Sequence, residues 1–195
     1  MRSQSTRLYC SNAELYHKAR MPDIPTKRPV TVSTADMPNI AHGLHLFADG
    51  CYHPHARQGG WAFAAYRNGA EIASGCGGIS DSSNNAMEVS ALLKAATWIN
   101  SHAMDEPAVI WSDSVHAVKG CNSWRHIWKN NGWKKNSPSA KARNRTIADP
   151  DLWQALDHQL SLNRLLTIAW CKGHSGIAGN ERADELAETG RLSLR

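Results

Sequence analysis

The 195-residue sequence predicts an α/β domain in which the elements follow one another in the order βββαβαβα. Three observations support this prediction. Three consecutive strand-like runs begin near residue 44, an alanine- and leucine-rich segment with helical spacing follows them, and two later apolar runs alternate with further helical segments. The length suits one domain with an additional segment at its N-terminus.

Residues 1–43 form that additional segment, because proline, serine, threonine and charged residues are scattered through them without sustained periodicity. Apart from a short predicted helix around residues 12–19, we expect a flexible or loosely docked extension. The first twenty residues are basic and contain a single acid, Glu14, so organelle targeting stays open as an alternative. The domain itself is predicted to cover residues 44–192.

The composition indicates a globular chain with an excess of positive charge. The formal net charge is +5 and the basic residues crowd between Arg125 and Arg145, which suggests an anionic partner without identifying it. The five cysteines form no C-x-x-C pair, which favours a reducing compartment over a disulfide framework. No run approaches the ~18 apolar residues that a membrane span needs. We therefore expect a cytoplasmic monomer that does not contact membranes.

Three strands open the domain. Residues 44–50 are a mostly apolar run in which Asp49 stands at the C-terminal end. Residues 59–66 and 70–79 are further strand-like runs, and the Asn68-Gly69 pair between them is a strong hairpin signal.

The helix predicted over residues 86–99 contains an anomaly. At ~100° per residue, Glu88 projects on the same face as Leu92 and Ile99, which are otherwise part of an apolar stripe. An unpaired carboxylate buried there would be costly. Either Glu88 reaches solvent or caps the helix, or it faces a cation.

A continuous apolar run over residues 107–112 predicts a central strand covered on both faces, and Asp113 ends it. Helical spacing resumes with Ala117, Cys121, Trp124 and Trp128, and we interpret these tryptophans as core residues.

The segment from Trp128 to Lys135 interleaves tryptophan with lysine, and a polar loop with Lys141, Arg143 and Arg145 follows. Two interpretations stay open for it, a solvated charged face and a phosphate-binding projection. Residues 151–162 then predict another helix.

The last stretch joins a short apolar strand, residues 165–170, to a helix through a glycine-rich loop that contains His174. We predict Asn180 as the N-cap of this helix and Asp184 in its first turn. By themselves, His174 and Asp184 are typical of a surface histidine and an ordinary helix acid.

Three acids, Asp49, Glu88 and Asp113, lie at two strand ends and on an inward helix face, and Asp184 is a fourth. Strand C-terminal ends share one edge of an α/β sheet, where ligands usually bind. Two like charges ~4 Å apart repel by about 4 kcal/mol at an effective dielectric of ~20, so the cluster needs cations or protons. Carboxylate oxygens suit Mg²⁺ or Mn²⁺, and two such ions can promote phosphodiester hydrolysis.

Five segments in order carry a resemblance to a known family: Phe47-Ala48-Asp49-Gly50, Asn84-Asn85-Ala86-Met87-Glu88, Trp111-Ser112-Asp113-Ser114, Asp151-Leu152-Trp153-Gln154, and the stretch from Trp170 to Ala187. From about residue 44 to 190, the chain resembles type 1 ribonuclease H, the bacterial ribonuclease HI group. The resemblance implies a mixed five-stranded sheet with helices on both faces.

The resemblance also implies roles for the site residues. Asp49 would bridge two Mg²⁺ ions, or Mn²⁺ in their place, and Asp184 would help to hold the ion that activates water. Glu88 and Asp113 would hold the other ion. His174, on a mobile loop, would assist proton transfer or release of the cut phosphate.

The implied activity is endonucleolytic hydrolysis of the RNA strand of RNA–DNA hybrids, which leaves a 5′-phosphate. Asn84 and Asn85 would read the minor groove of the RNA strand, where the 2′-hydroxyl distinguishes RNA from DNA. The segment around 124–145 looks like the basic protrusion of the bacterial group. The implied substrate-binding residues are Ser83, Asn84, Asn85, Trp124, Lys129, Trp133, Lys134 and Lys135.

Three positions depart from the family's pattern on the substrate side. Cys51 replaces a common serine, Val115 stands where glutamine is frequent, and His55 occupies a position that is often asparagine. These departures leave an alternative open, a hybrid- or double-stranded-RNA-binding module whose catalysis has lapsed. A nuclease domain from a mobile-element polyprotein is a third class, which would imply a polymerase partner.

Overall fold

The computed structural model describes residues 7–9, 38–135 and 146–194. Its strands form a single six-stranded sheet in the order β1-β4-β3-β2-β5-β6. The strands are β1 Arg7–Tyr9, β2 Leu44–His53, β3 Gln58–Arg67, β4 Ala70–Ser80, β5 Ala108–Ser112 and β6 Leu166–Trp170. The helices are α1 Asn84–His102, α2 Val115–Lys119, α3 Arg125–Asn130, α4 Pro150–Leu162 and α5 Ala178–Leu192.

Five of the strands form the predicted mixed sheet. Strands β2, β3 and β4 are antiparallel neighbours, and β5 and β6 continue the sheet parallel to β2. Asn68 and Gly69 join β3 to β4 with φ of 52° and 81°, the left-handed conformation that the Asn-Gly signal predicts for a tight hairpin.

The sixth strand comes from the N-terminal segment. Strand β1 pairs in parallel with β4, with Arg7 opposite Ala73 and Tyr9 opposite Gly75. This pairing adds a strand that the sequence prediction did not contain. The helix predicted around residues 12–19 lies outside the described residues, and the domain boundary at residue 43 stays a prediction.

The two faces of the sheet are covered by different helices. On β2, Leu44, Leu46 and Ala48 belong to the main core, which also contains buried residues of α1 and α4. Phe47 points to the other face, as strand alternation requires, and packs in a second cluster with Ala183 of α5. The central strands are therefore buried on both sides.

A π-helical segment, Gly120–Trp124, separates α2 from α3. The predicted helical spacing is therefore correct in kind, but the stretch is not one regular α-helix. Trp128 packs against the main core, whereas Trp124 is half-buried, with its ring centroid 5.2 Å from that of His116 and 5.8 Å from that of Trp128. The interpretation as core residues holds for Trp128 and only in part for Trp124.

None of the described helices is long and apolar enough to cross a membrane.

Replacing Leu46 with alanine is expected to lower the free energy of unfolding by about 3 kcal/mol, because the side chain is 0% exposed between the sheet and its covering helices. Leu165, which is 45% exposed, is the matched control, and its replacement should change stability by less than about 0.5 kcal/mol. Urea denaturation of both variants measures the difference. Similar losses in the two variants would contradict the assignment of the core.

Candidate active site

Three carboxylates meet at one edge of the sheet. Asp49 lies inside β2, which continues to His53, so the prediction that Asp49 ends its strand is wrong. Glu88 lies on the first turns of α1, and Asp113 lies directly after β5. One oxygen from each acid lies within 4.8 Å of one oxygen from each of the others. Asp49 and Glu88 are each 7% exposed, so most of the cluster is screened from solvent.

The fold explains this meeting. Strands β2 and β5 run in parallel, with Phe47 opposite Trp111, so Asp49 and Asp113 arrive at the same edge. Gly50 follows Asp49, and a Cβ atom there would lie 2.4 Å from the backbone nitrogen of Glu88. The absence of a side chain at this position therefore lets α1 approach the strand closely enough to deliver Glu88.

The interpretation that Glu88 points inward is confirmed, and its buried environment disfavours the charged form of its carboxyl group. Burial raises the pKa of Glu88 to about 9, and the negative charges of Asp49 and Asp113 add to the rise. Burial and the charge of Asp113 likewise raise the pKa of Asp49 to about 7, against a hydrogen bond of 2.8 Å that the Gly50 N–H donates to its Oδ1. Without a cation, these acids hold protons near neutral pH.

The donor set suits a hard divalent cation. Among the described residues, no group donates a hydrogen bond to Oε2 of Glu88, although this oxygen is buried. A buried carboxylate oxygen without a partner is costly, and a bound cation would satisfy it. Three carboxylates in reach of one another are the ligand type that Mg²⁺ and Mn²⁺ prefer.

Asp184 and His174 lie at the rim of this cluster. Asp184 is outside the compact group of three, but its charge contributes to the raised pKa of both Asp49 and Glu88. His174 Nδ1 is 4.0 Å from Asp184 Oδ2, with side chains that are 83% and 45% exposed. The fourth acid thus faces solvent beside the histidine.

The start of the last helix differs from the prediction. Helix α5 begins at Ala178 after Ile177, which has no side-chain capping bond. The prediction of Asn180 as the N-cap is therefore wrong, because this residue lies inside the first turn. Asp184 consequently falls in the second turn rather than the first.

The loop that carries His174 approaches the acids closely. A Cβ atom on Gly173 would lie 2.2 Å from Oδ2 of Asp113, so the backbone passes directly against this carboxylate. Gly176 has φ of 80° and its N–H donates to Oε1 of Glu181 over 3.0 Å. Glu181 therefore ties the loop to α5, a role that the sequence prediction did not include.

Two further residues hold Asp113 and were missed as site residues. Trp170 Nε1 donates to the backbone oxygen of Asp113 over 3.0 Å, and Asn180 Nδ2 donates to its Oδ2 over 3.3 Å. The available signal was spacing, because Asn180 and Asp184 are four residues apart and share one face of a helix.

The predicted minor-groove residues lie at the N-terminus of α1. Ser83 Oγ accepts a hydrogen bond of 3.1 Å from the Ala86 N–H and caps the helix. Asn84 and Asn85 are exposed in the turn that precedes Glu88. Two exposed amides thus lie in the helical turn before Glu88, while the hydroxyl of Ser83 caps the helix.

The predicted basic protrusion is not uniform. Lys129 Nζ lies 3.0 Å from Oδ2 of the buried Asp157, and Trp133 packs against the main core. Lys134 and Lys135 are exposed, and Lys134 forms an isolated antiparallel bridge with Thr146. The predicted basic residues Lys141, Arg143 and Arg145 lie outside the described residues.

The three departures from the family's pattern differ in exposure. Val115 is 49% exposed as the first residue of α2, and His55 is exposed in the loop after β2. Cys51 is half-buried and its Sγ donates to Oε2 of Glu188 over 3.7 Å.

Comparisons with known proteins agree on one family. The family model described as RNase H matches residues 41–191. A ribonuclease H of Dechloromonas aromatica (strain RCB) is 38% identical over 154 residues, which cover 78% of this chain and 95% of that protein.

Two solved structures share the fold. The foamy viral protease-reverse transcriptase in complex with RNA/DNA hybrid matches with a TM-score of 0.67 and 20% identity, over 85% of this chain and 22% of that chain. LC9-RNase H1, described as a type 1 RNase H with the type 2 active-site motif, matches with a TM-score of 0.62 and 23% identity, over 83% of this chain and 76% of that chain. The present chain thus spans about a fifth of the viral protein.

The raised pKa values predict that the metal-free protein loses stability as pH rises. The unfolded chain ionises Asp49 and Glu88 near their ordinary pKa values of 3.8 and 4.5, whereas the folded protein keeps the protons until about 7 and 9. Between pH 4 and 9 the unfolded state binds fewer protons, so the free energy of unfolding falls, by at most about 1.4 kcal/mol per pH unit for each acid.

Urea denaturation in EDTA at pH 5, 7 and 9 measures this loss. Glu88→Gln should flatten the pH profile, because glutamine carries no charge at any pH. The matched control is Glu185→Gln, since Glu185 has a side chain that is 72% exposed. Identical profiles for the wild-type protein and Glu88→Gln would contradict the assigned shift.

Proposed function

Because the chain belongs to the ribonuclease H family, we propose that it hydrolyses the RNA strand of RNA–DNA hybrids with two Mg²⁺ ions and leaves 5′-phosphate products. The single observation that carries the proposal is the meeting of Asp49, Glu88 and Asp113, with one buried oxygen of Glu88 that receives no hydrogen bond from the described residues. Mn²⁺ is the expected substitute for Mg²⁺ because it prefers the same ligands.

The residues would divide the work at this site. Asp49, Glu88 and Asp113 would hold the ions, and Asp184 would complete the set from the rim. The chemistry supplied by two bound divalent ions would be activation of a water molecule and stabilisation of the leaving oxygen of a phosphodiester. The protein's own contribution is to keep the carboxylates in place before substrate arrives.

His174 would handle protons on the solvent side of the cluster. Its ring is exposed and its Nδ1 lies 4.0 Å from Oδ2 of Asp184, so the imidazole lies between solvent and the fourth acid. We propose that it assists proton transfer or release of the cut phosphate. Motion of its loop stays a prediction.

Substrate recognition would combine two surfaces. Asn84 and Asn85 would face the minor groove of the RNA strand, since they are exposed in the turn before Glu88. The exposed lysines Lys134 and Lys135 would bind phosphates of the duplex. Trp124 and Trp133 are partly buried, so we assign them to the support of the protrusion.

The alternative of a binding module without catalysis has less support. Holding three carboxylates together is costly unless cations or protons neutralise them, and a binding module without catalysis would have no use for that arrangement. A cytoplasmic location and a monomeric state remain our proposals. The proposed location is supported by Cys51, Cys121 and Cys171, because none of them forms a disulfide in the described part of the chain.

Asp113→Asn should lower the rate of cleavage of a labelled RNA–DNA hybrid by more than about a hundredfold. The reason is that even residues which merely support metal ligands contribute ~10- to 100-fold. The wild-type protein should cleave with Mg²⁺, stop in EDTA, and leave a 5′-phosphate that phosphatase treatment removes. Asp151→Asn, an exposed first-turn acid of α4, is the control. Equal activity of wild type and Asp113→Asn would refute the proposed function.

The double variant Lys134→Ala, Lys135→Ala should weaken hybrid binding and lower the slope of log affinity against log salt by about 1 for each lysine. Lys129 is left in place because it is paired with Asp157. Arg164→Ala, an exposed residue before β6, should leave the slope unchanged. Fluorescence anisotropy with catalysis blocked by EDTA measures the slopes, and an unchanged slope in the double variant would assign these lysines to a solvated face.

A further inference from the structure

We propose that Asn180 is a positioning residue for the Asp113 carboxylate, and that the Cys171 thiol fixes the orientation of the Asn180 amide. The inference rests on the proposed function, because it assigns a role to groups around a metal-binding acid. Neither residue belongs to the predicted set of catalytic and substrate-binding residues.

The side-chain amide of Asn180 makes one hydrogen bond through its nitrogen and another through its oxygen. Asn180 is 2% exposed, and its Nδ2 donates to Asp113 Oδ2 over 3.3 Å. Its Oδ1 accepts from Cys171 Sγ over 3.4 Å. Both partners lie just beyond strand ends at the same edge of the sheet, Asp113 after β5 and Cys171 after β6.

The thiol gives the amide a direction. An asparagine amide carries donors on nitrogen and an acceptor on oxygen, so reversing it would place its oxygen against a carboxylate. A donor at Oδ1 therefore selects the orientation in which the NH₂ group faces Asp113. Burial raises the pKa of Cys171 to about 12, so the thiol keeps its proton at neutral pH.

Three neighbouring residues contact or closely approach Asp113. Trp170 binds its backbone oxygen, Asn180 binds Oδ2, and the backbone of Gly173 passes so close that a Cβ atom would lie 2.2 Å from Oδ2. A carboxylate held in this way would meet a cation in a fixed orientation. Residues that support metal ligands in this way orient the ligand and raise metal affinity.

A second buried asparagine, Asn163, makes its hydrogen bond within its own segment of the chain. Asn163 is 3% exposed, and its Oδ1 accepts from the N–H of Leu165, two residues along the chain, over 2.8 Å. Asn180 instead joins two other elements to α5. Asn163 is therefore the matched control for removal of a buried asparagine away from the site.

The experiment measures Mg²⁺ binding by calorimetry on the full-length chain, together with the half-saturating Mg²⁺ concentration and the KM for hybrid in cleavage. Asn180→Ala should weaken Mg²⁺ binding by about tenfold or more and leave KM for hybrid unchanged. Cys171→Ala should act in the same direction by about threefold, and Cys171→Ser should restore binding because its hydroxyl still donates. Asn163→Ala and Cys121→Ala, a thiol that is 1% exposed in the main core, should leave Mg²⁺ binding unchanged.

Mg²⁺ affinity within twofold of wild type in Asn180→Ala, with a thermal stability lowered as in Asn163→Ala, would overturn the inference. If Asn180→Ala does not fold, unchanged Mg²⁺ affinity in Cys171→Ala overturns it equally. Calorimetry separates this test from the proposed function. A wild-type protein that binds Mg²⁺ but does not cleave hybrid would refute the activity, while the response of Mg²⁺ binding to Asn180→Ala would still decide the positioning role.

Discussion

The rest of this structure depends on one constraint, which is the mutual repulsion of three carboxylates at a largely buried site. Asp49, Glu88 and Asp113 come within 4.8 Å of one another, and burial makes each negative charge more expensive than it would be in water. A chain selected for stability alone would replace at least one of them with an apolar residue. Their presence together indicates that the folded protein is built for a state in which cations neutralise them, and the raised pKa values of Asp49 and Glu88 favour protons on these two acids when no cation is bound.

The architecture supplies the rigidity that such a cluster needs. The strands that carry Asp49 and Asp113 are neighbours in the middle of the sheet and are covered on both faces, so neither acid can move away without disturbing the core. Helix α1 is fixed equally firmly, because its apolar face packs on the same strands and Gly50 lets its first turn touch β2. Repulsion that would separate flexible acids is therefore balanced by packing, which is the physical meaning of preorganisation at this site.

The sequence predicts Asp113 and Glu88 well because their placement follows from local periodicity: Asp113 follows an apolar strand, and Glu88 interrupts an apolar helix face. It misplaces Asp49 at the end of its strand, because pairing with β3 extends β2 to His53. It predicts the start of α5 poorly, since Ile177 offers no capping side chain and the helix begins there through packing, with Gly179 so close to Phe47 that a Cβ atom would lie 2.2 Å from the ring. The π segment likewise contains a distant contact, because Gly120 at its start packs against the ring of Trp153. Strand β1 depends on the open edge of β4. Contacts between residues far apart in sequence leave no periodic signal, and these features involve such contacts.

A polyanionic substrate meets an electrostatic conflict on this protein, because the groups that would cleave it are themselves negative. The net charge of +5 does not remove the conflict, since the exposed lysines Lys134 and Lys135 follow α3 rather than lying among the acids. Long-range attraction by these lysines can hold a duplex near the surface, but close approach of a phosphate to Asp49 and Asp113 still requires local positive charge. Bound divalent ions would provide that charge where it is needed. Under the proposed function, holding the substrate and permitting its approach would therefore be separate electrostatic tasks for separate parts of the molecule.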